Sequence, residues 1–528
     1  MRSVKSLSLL VLLLAGCAGP ARESASTQQI AAPASLAPES AAAGITPEAI
    51  HRQIAFLASD EMRGRDTPSP ELERAAQYIA DEFRSYGLQP GGDEGTYLQW
   101  FPLQRRVLDT AATRLTIRSA SGEVTLEGGT DFAAFAGVPN EVSAPVAVVA
   151  GEVKSETPGL GGRVVLARLP GADLNRDFER TLIQRRAAAQ AAGAAAIIFV
   201  VDEEFPARTL SVTMTMNARP SRRPTVGEAR DIPAFLLTQG AVRRVAQELK
   251  VDLAPVLGSA AAGAGRVVSD AGAGLTAVAS APVRVLEDHR APNVVGILPG
   301  SDPELRDTYV VFSAHFDHVG VGRADANGDS IYNGADDNAS GTSGLLEVAR
   351  AFAKLPKAPA RSLLFLAVSA EEKGLLGSEY YSDNPTVPLE SIVANINVDM
   401  IGRNAPDSIV VIGQEYSSLG PLVQEVARAH PELGLTVAQD IWPQERFFFR
   451  SDHYNFARKE IPALFFFAGV HEDYHRPSDH VEKIDTDKTA RVARLIFYTA
   501  YEIANRRQPP TWTEEGLREV RAMTARGR

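Results

Sequence analysis

Residues 309–318 read YVVFSAHFDH. The first six are apolar or small without polar alternation, the pattern of a strand buried on both faces. The next four change character at once, delivering His315, Asp317 and His318 directly after that strand. The arrangement recurs downstream. LLFLAVS (363–369) is followed by Ala370, Glu371 and Glu372, ANINVDM (394–400) carries Asp399 near its end, and ALFFF (463–467) leads into GVHEDYH (469–475). VVGIL (294–298) and IVVIG (409–413) are further strand candidates, and helical periodicity occupies 341–354, 419–429 and 486–505. Continuous apolar strands separated by helices predict an α/β fold: a three-layer sandwich whose mixed sheet is mostly parallel. In such sheets ligands bind beyond the carboxyl ends of the strands. Seven of the nine histidines fall between 315 and 480, where those strand ends collect polar residues.

Between the first two of these strands stands NGADDNASG (333–341), with two adjacent carboxylates before a helical pattern. Asp, Asn and Gly are turn formers, so a surface turn is one reading. A metal bridge is the other. Two divalent cations about 3.5–4 Å apart need a shared carboxylate to hold them together. Each also takes histidine nitrogen and carboxylate oxygen and keeps a position open for water. This expectation makes Asp336 the bridge and Asp337 its geometric neighbour. Four strand ends bringing His, Glu-Glu, Asp and Tyr-His to one rim favour the metal reading.

HFDH, NGADDNASG, SAEEKGLLGS, NVDMIG and YHRPSDH, in that order, resemble the motifs of the co-catalytic di-zinc aminopeptidases, a superfamily that includes glutamate carboxypeptidase and the transferrin-receptor ectodomain. The resemblance implies the zinc exopeptidase fold, two Zn2+ per chain and peptide substrates. It implies that His315 and Asp399 bind one zinc, that Glu372 and His475 bind the other, and that Asp336 bridges them across a cis Asp336–Asp337 peptide. Asp317 would orient the His315 imidazole. Glu371 would be the general base and Tyr474 a hydrogen-bond donor to the oxyanion. His318, His453, His471 and His480 are not needed as ligands. RFFFRSDHYNF (446–456) resembles the family's loop near the substrate end, so Arg450 and Asp452 are substrate-binding candidates, with a structural ion pair as the alternative. Phe447, Phe448 and Phe449 line an apolar pocket or pack in the core. Removal of N-terminal residues is the leading activity. Carboxypeptidases, one-zinc glutaminyl cyclases and non-enzymatic binding proteins of the same superfamily remain alternatives.

The whole chain frames this reading. Its 528 residues are 45% hydrophobic with a net charge of −11, a globular composition for about two to four domains. Without a basic block it is a poor partner for nucleic acid. MRSVKSLSLLVLLLAGCAGP has two early cations, an apolar run too short to span a bilayer, and small residues before Cys17. LAGC resembles the bacterial lipobox, which implies a lipid anchor on Cys17 and an outer-membrane place in the cell envelope, facing the periplasm. Cys17 is the single cysteine, so the chain forms no internal disulfide. The expected organisation is a signal peptide over 1–17 and a flexible tether over 18–44. An N-terminal part of the peptidase domain follows over 45–140. GGRVVLARL, RRAAAQAAGAAAIIFVV and IPAFLLT resemble an inserted protease-associated domain over 141–260. A linker over 261–284, the zinc peptidase domain over 285–505 and a C-terminal tail over 506–528 complete the chain. Side-chain preference and oligomeric state leave no mark in the sequence.

Overall fold

The computed structural model describes residues 38–138, 140–169, 178–201, 207–217, 225–226, 232–257, 266–267 and 274–525. The signal sequence, Cys17 and residues 18–37 of the expected tether lie outside the described residues. Helices Pro47–Leu57 (α1) and Pro70–Tyr86 (α2) each start on a hydroxyl cap with Pro in the first turn: Thr46 accepts from Ala49 N at 3.3 Å and Ser69 from Leu72 N at 3.0 Å. Both helices bury one apolar stripe, which in α2 is Leu72, Ala75, Ala76, Ile79 and Phe83.

The larger sheet is built from Leu98–Leu108 (β1), Val283–Leu298 (β2), Tyr309–His315 (β3), Ser362–Val368 (β4), Ile392–Val398 (β5), Ser408–Ile412 (β6), Thr436–Ala438 (β7) and Ala463–Phe467 (β8). Its order is β7-β6-β8-β5-β3-β4-β2-β1, extended by the short strand Thr225–Val226, while Gln89–Pro90 pairs with β2. β4, β3, β5 and β8 run parallel at the centre, and antiparallel pairs flank them. The sheet is therefore mixed: its parallel centre consists of the strands whose ends carry the polar motifs, and the edge pair β6–β7 is also parallel.

Helices Gly341–Ala353 (α3), Leu419–Ala429 (α5) and Thr486–Asn505 (α7) share one hydrophobic core with α1 and α2. Into it the sheet directs Phe312, Phe365, Ile396 and Leu464, which stand in register across the four parallel strands. Phe312 stacks on Phe365 at 4.6 Å. The alternate residues Val311, Leu364 and Leu366 face the other way and pack with Tyr381 of Leu376–Asp383 (α4) and Phe456 of His453–Ala457 (α6). Burial on both faces is why these strands show no polar alternation. Among the described residues no helix is long and apolar enough to cross a membrane.

The second sheet is wider than the expected insertion. Its centre, Val142–Ala150, Val164–Leu169, Ala196–Val201 and Ala234–Thr238, is parallel and lies within 141–260. Arg114–Ser119, Gly122–Thr125 and Phe132–Ala136, assigned from sequence to the peptidase part, are strands of this sheet, and so is Thr276–Ser280 from the expected linker. In Arg114–Ser119 Leu115 and Ile117 are buried while polar residues alternate with them, as in an antiparallel strand with one wet face. The ends of the chain need the same correction. Ala41 and Ala42 of helix Pro38–Ala43 are buried within the range read as tether. The tail forms helix Glu514–Ala525 (α8), Trp512 Nε1 donates to Glu460 O at 2.6 Å, and Val520 is buried beside Phe447 and Phe448.

A Val520→Asp substitution places a charge in that aromatic cluster. It is expected to lower unfolding stability by about 3 kcal/mol, read as a shift of the urea midpoint at unchanged slope.

Candidate metal centre

The carboxyl ends of β3, β4, β5 and β8 and the turn before α3 converge on one place. β3 ends on His315, β4 runs through Ala370 into Glu371 and Glu372, β5 is followed by Asp399, and the loop after β8 brings Tyr474 and His475. Ala370, Met400 and His475 hold positive φ values of 57°, 53° and 52°. Such conformations are costly for residues with side chains, and they gather where surrounding structure aims a functional group.

Asp337 stands at the centre. Its Oδ1 lies 3.3 Å from His315 Nε2, which is 3.2 Å from Asp399 Oδ1. Its Oδ2 lies 3.1 Å from His475 Nε2, which is 3.2 Å from Glu372 Oε1. His318 Nδ1 joins this second set, 2.9 Å from Glu372 Oε1 and 3.7 Å from Asp337 Oδ2. Two groups of donors able to hold a metal ion therefore share one carboxylate: His315, Asp337 and Asp399, and His318, Asp337, Glu372 and His475.

The adjacent pair is thus assigned one residue too early by the sequence reading. Asp336 does not reach either group. Its Oδ1 accepts from Gly402 N at 2.7 Å and its Oδ2 sits 3.3 Å from His471 Nε2. The cis peptide is Asp337–Asn338, not Asp336–Asp337. The backbone explains the placement. Asp479 Oδ2 accepts from both Asp336 N (3.0 Å) and Asp337 N (3.2 Å), pinning the turn from the YHRPSDH side. Asn338 Nδ2 donates to Val398 O at 2.9 Å, and its Oδ1 accepts from Met400 N and Gly341 N, tying the turn at Asp337 to the end of β5 beside Asp399. Asp336 and Asp337 then point to opposite sides of the turn.

The other expected residues are distributed as follows. Asp317 Oδ1 is 3.7 Å from His315 Nδ1 and accepts from Glu371 N at 3.2 Å, and its Oδ2 accepts from Thr67 Oγ1 at 3.0 Å. It links the β3 and β4 turns while flanking the imidazole. Asp399 Oδ2 accepts from Ser451 Oγ at 2.8 Å. Glu371, His315, Asp337, Asp399, Tyr474 and His475 line an open cleft, whose apolar wall is Met400, Phe447, Phe465, Phe467 and Val470. Arg450 also lines it, over the Phe447 ring and 3.9 Å from Glu445. Asp452 does not: it is fully buried, so the substrate-contact expectation for it fails. Phe447 borders the cleft, whereas Phe448 packs on Tyr416 and His453.

Arg65 is the residue that sequence reading missed without any signal to find it. Fully buried, it donates to Phe316 O at 2.8 Å, Asn333 O at 2.8 Å and Gly334 O at 3.1 Å, and also to Leu57 O. It clamps the HFDH turn to the NGADDNASG turn. Burial lowers its pKa to about 10, so it is a cation at neutral pH. His318 did have a signal, as the second histidine of HFDH.

The electrostatics demand positive charge. Burial alone would lower the pKa of both outer histidines. The facing carboxylates outweigh it, raising His315 well above its usual value and His475 to about 10. Glu372, against the pull of burial and of Asp337, is drawn down to about 2 by His318 and His475. Glu371 behaves oppositely. Burial first, then Glu372, Asp452 and Asp399, hold its pKa well above the ordinary range, with His315 opposing.

A parallel-centred α/β sheet with histidine–carboxylate groups converging beyond its strand ends defines a metal-centre protein of the α/β class. Residues 293–500 match the model of Peptidase family M28. The chain is 27% identical over 245 residues to Aminopeptidase YwaD of Bacillus subtilis, covering 44% of this chain and 49% of that protein. It is 26% identical over 231 residues to a Probable leucine aminopeptidase of Arthroderma benhamiae, covering 42% and 60%. It is also 26% identical over 390 residues to a Probable zinc metalloprotease of Pyricularia oryzae, covering 65% and 68%. The chain thus spans about half to two thirds of the length of these curated relatives.

Replacing Arg65 with Met keeps most of its volume and leaves four carbonyl oxygens without their donor. The expected cost is about 3 kcal/mol or more in chemical denaturation.

Proposed function

We propose that the protein is a zinc-dependent exopeptidase, an aminopeptidase holding two zinc ions that removes N-terminal residues from peptides. The observation that carries this reading is the Asp337 carboxylate, with one oxygen toward each donor group and Glu371 beside it in the same cleft. His315 and Asp399 would hold one zinc, Glu372 and His475 the other, and Asp337 would bridge. Zinc so held polarises a carbonyl and acidifies a water. Glu371 would take the proton from the attacking water and return it to the leaving amine, a task suited to a carboxylate whose proton affinity is raised by burial. Tyr474, stacked on His475 at 4.0 Å and lining the cleft, would donate a hydrogen bond to the developing oxyanion. The Met400, Phe447, Phe465, Phe467 and Val470 wall suits an apolar side chain at the residue removed.

The aminopeptidase names of two relatives support N-terminal cleavage. Arg450 favours a second reading: it is the one Lys or Arg among the cleft-lining residues, and a guanidinium fork matches a C-terminal carboxylate. The parallel centre of the second sheet supports a protease-associated domain that would restrict substrate size. The N-terminal sequence supports export and a lipid anchor on Cys17 in the bacterial cell envelope.

Mass spectrometry of products from one medium-length peptide, offered with a free and with an acetylated N-terminus, tests the reading. Stepwise loss from the free N-terminus alone, abolished by a chelator, is expected. Loss from the C-terminus of both peptides would instead make Arg450 the anchor of a carboxypeptidase. Glu371→Gln should reduce kcat by about 100-fold or more while metal content stays at the wild-type level.

A further inference from the structure

We infer that the two metal positions are inequivalent: His318 makes one a closed four-donor site, leaving the open three-donor position to face the substrate. The inference rests on the proposed zinc centre and assigns a ligand beyond the five expected from sequence.

Three observations carry it. The first is spacing. Donor atoms about 2.0–2.1 Å from a tetrahedrally held zinc lie about 3.3 Å from one another. In the set formed by His318 Nδ1, Asp337 Oδ2, Glu372 Oε1 and His475 Nε2, the contacts are 2.9, 3.1, 3.2 and 3.7 Å. In the set formed by His315 Nε2, Asp337 Oδ1 and Asp399 Oδ1, they are 3.2 and 3.3 Å with one vertex fewer. The second is direction. His318 Nδ1, Asp337 Oδ2 and Glu372 Oε1 are buried and make no hydrogen bond despite these short separations. Close donors misaligned for bonding to one another are what a shared point between them requires. A fully buried imidazole with neither nitrogen hydrogen-bonded is costly unless something takes its lone pair. The third is access. All three donors of the open set, His315, Asp337 and Asp399, line the cleft, whereas in the four-donor set Asp337 and His475 reach it and His318 and Glu372 do not.

The His318 ring is also held for the purpose. Its backbone N donates to Arg65 O at 3.3 Å. Its face lies on Gly334, where a Cβ would come within 2.6 Å of the His318 ring and where φ is +60°. His475 meets it edge-on at 5.5 Å. Four protein donors that fill a tetrahedron describe a structural site, and three donors that leave a vertex toward the cleft describe a catalytic one.

The test uses the full chain loaded with Zn2+ and equilibrated against a graded series of a chelator, with zinc per chain read by mass spectrometry. Wild type is expected to release its two equivalents in separate steps. In His318→Ala and His318→Ser the resistant equivalent should leave at a chelator concentration lower by about 10-fold or more. Retention curves that superpose on wild type, or release of both wild-type equivalents in one step, would overturn the inference. Because either variant can misfold, wild-type protein is also titrated with Co2+. The first equivalent should give the stronger visible absorption of a four-coordinate ion and the second a weaker band, and two equally weak bands would overturn the inference. Peptide cleavage is scored separately. Two-step release without cleavage sinks the exopeptidase reading and leaves this one, cleavage with one-step release does the reverse, and a chain that takes up no zinc sinks both.

Discussion

Crowded buried carboxylate sets the terms for this molecule. Asp317, Asp336, Asp337, Glu372, Asp399, Asp452 and Asp479 gather beyond one end of the central strands, and Asp317, Asp336 and Asp452 are entirely buried. Each ionised carboxylate removed from water costs several kcal/mol unless it is paired. The fold answers with cations and fixed donors. Arg65, His315, His471 and His475 stand among the acids, and backbone N–H groups serve Asp317, Asp336 and Asp479. The raised pKa values of His315 and His475 express the same demand, because protonated imidazole supplies the charge that the cluster lacks. Divalent metal bound between those groups would meet the demand with fewer protons.

Such a cluster needs a rigid frame, since rotation of one carboxylate would undo the pairing of its neighbours. The frame is the parallel centre of the sheet, close-packed on both faces by Phe312, Phe365 and Val311 and their register partners. Three ties then couple the strand ends. Arg65 joins the HFDH turn to the turn before α3, Asn338 joins that turn to β5, and Asp317 joins the β3 turn to Glu371. A polar network continues inward, with Ser451 between Asp399 and Asn397 and Ser313 on Asn397. Every member of that network is buried, which makes it expensive to disturb in part.

How far the sequence carried the reading follows from which signals are local. Buried parallel strands announce themselves by unbroken apolar runs, and the residues after YVVFSA, LLFLAVS, ANINVDM and ALFFF came to one rim. Side-chain direction within a turn is not local. Whether Asp336 or Asp337 faces the centre is decided by Asp479 and Gly402, more than 60 residues away, so adjacent carboxylates in a Gly/Asn-rich turn look interchangeable. Arg65 was invisible for a similar reason, since its partners are four carbonyl oxygens from elsewhere in the chain. The edges of the second sheet were missed because Leu115 and Ile117 supply only a short alternation. The tail was missed because Val520, the deeply buried apolar residue of α8, stands among charged neighbours in the sequence.

Asp452 shows how a wrong role can still mark the right place. It was read as a substrate contact because it lies in a loop of charged and aromatic residues, yet it is sealed behind the cleft, its pKa raised to about 7 chiefly by burial. There it acts electrostatically on Glu371, the proposed base. Glu371 already favours its proton because it is buried, and Asp452 adds to that preference along with Glu372 and Asp399. A base that must accept a proton and then give it up needs an affinity above that of an exposed carboxylate, and burial next to like charge is how a protein raises it. His315 pulls in the opposite sense. The proton affinity of Glu371 is therefore set by residues at three separate strand ends and just before α6, so the same convergence that assembles the donor groups also tunes the residue beside them.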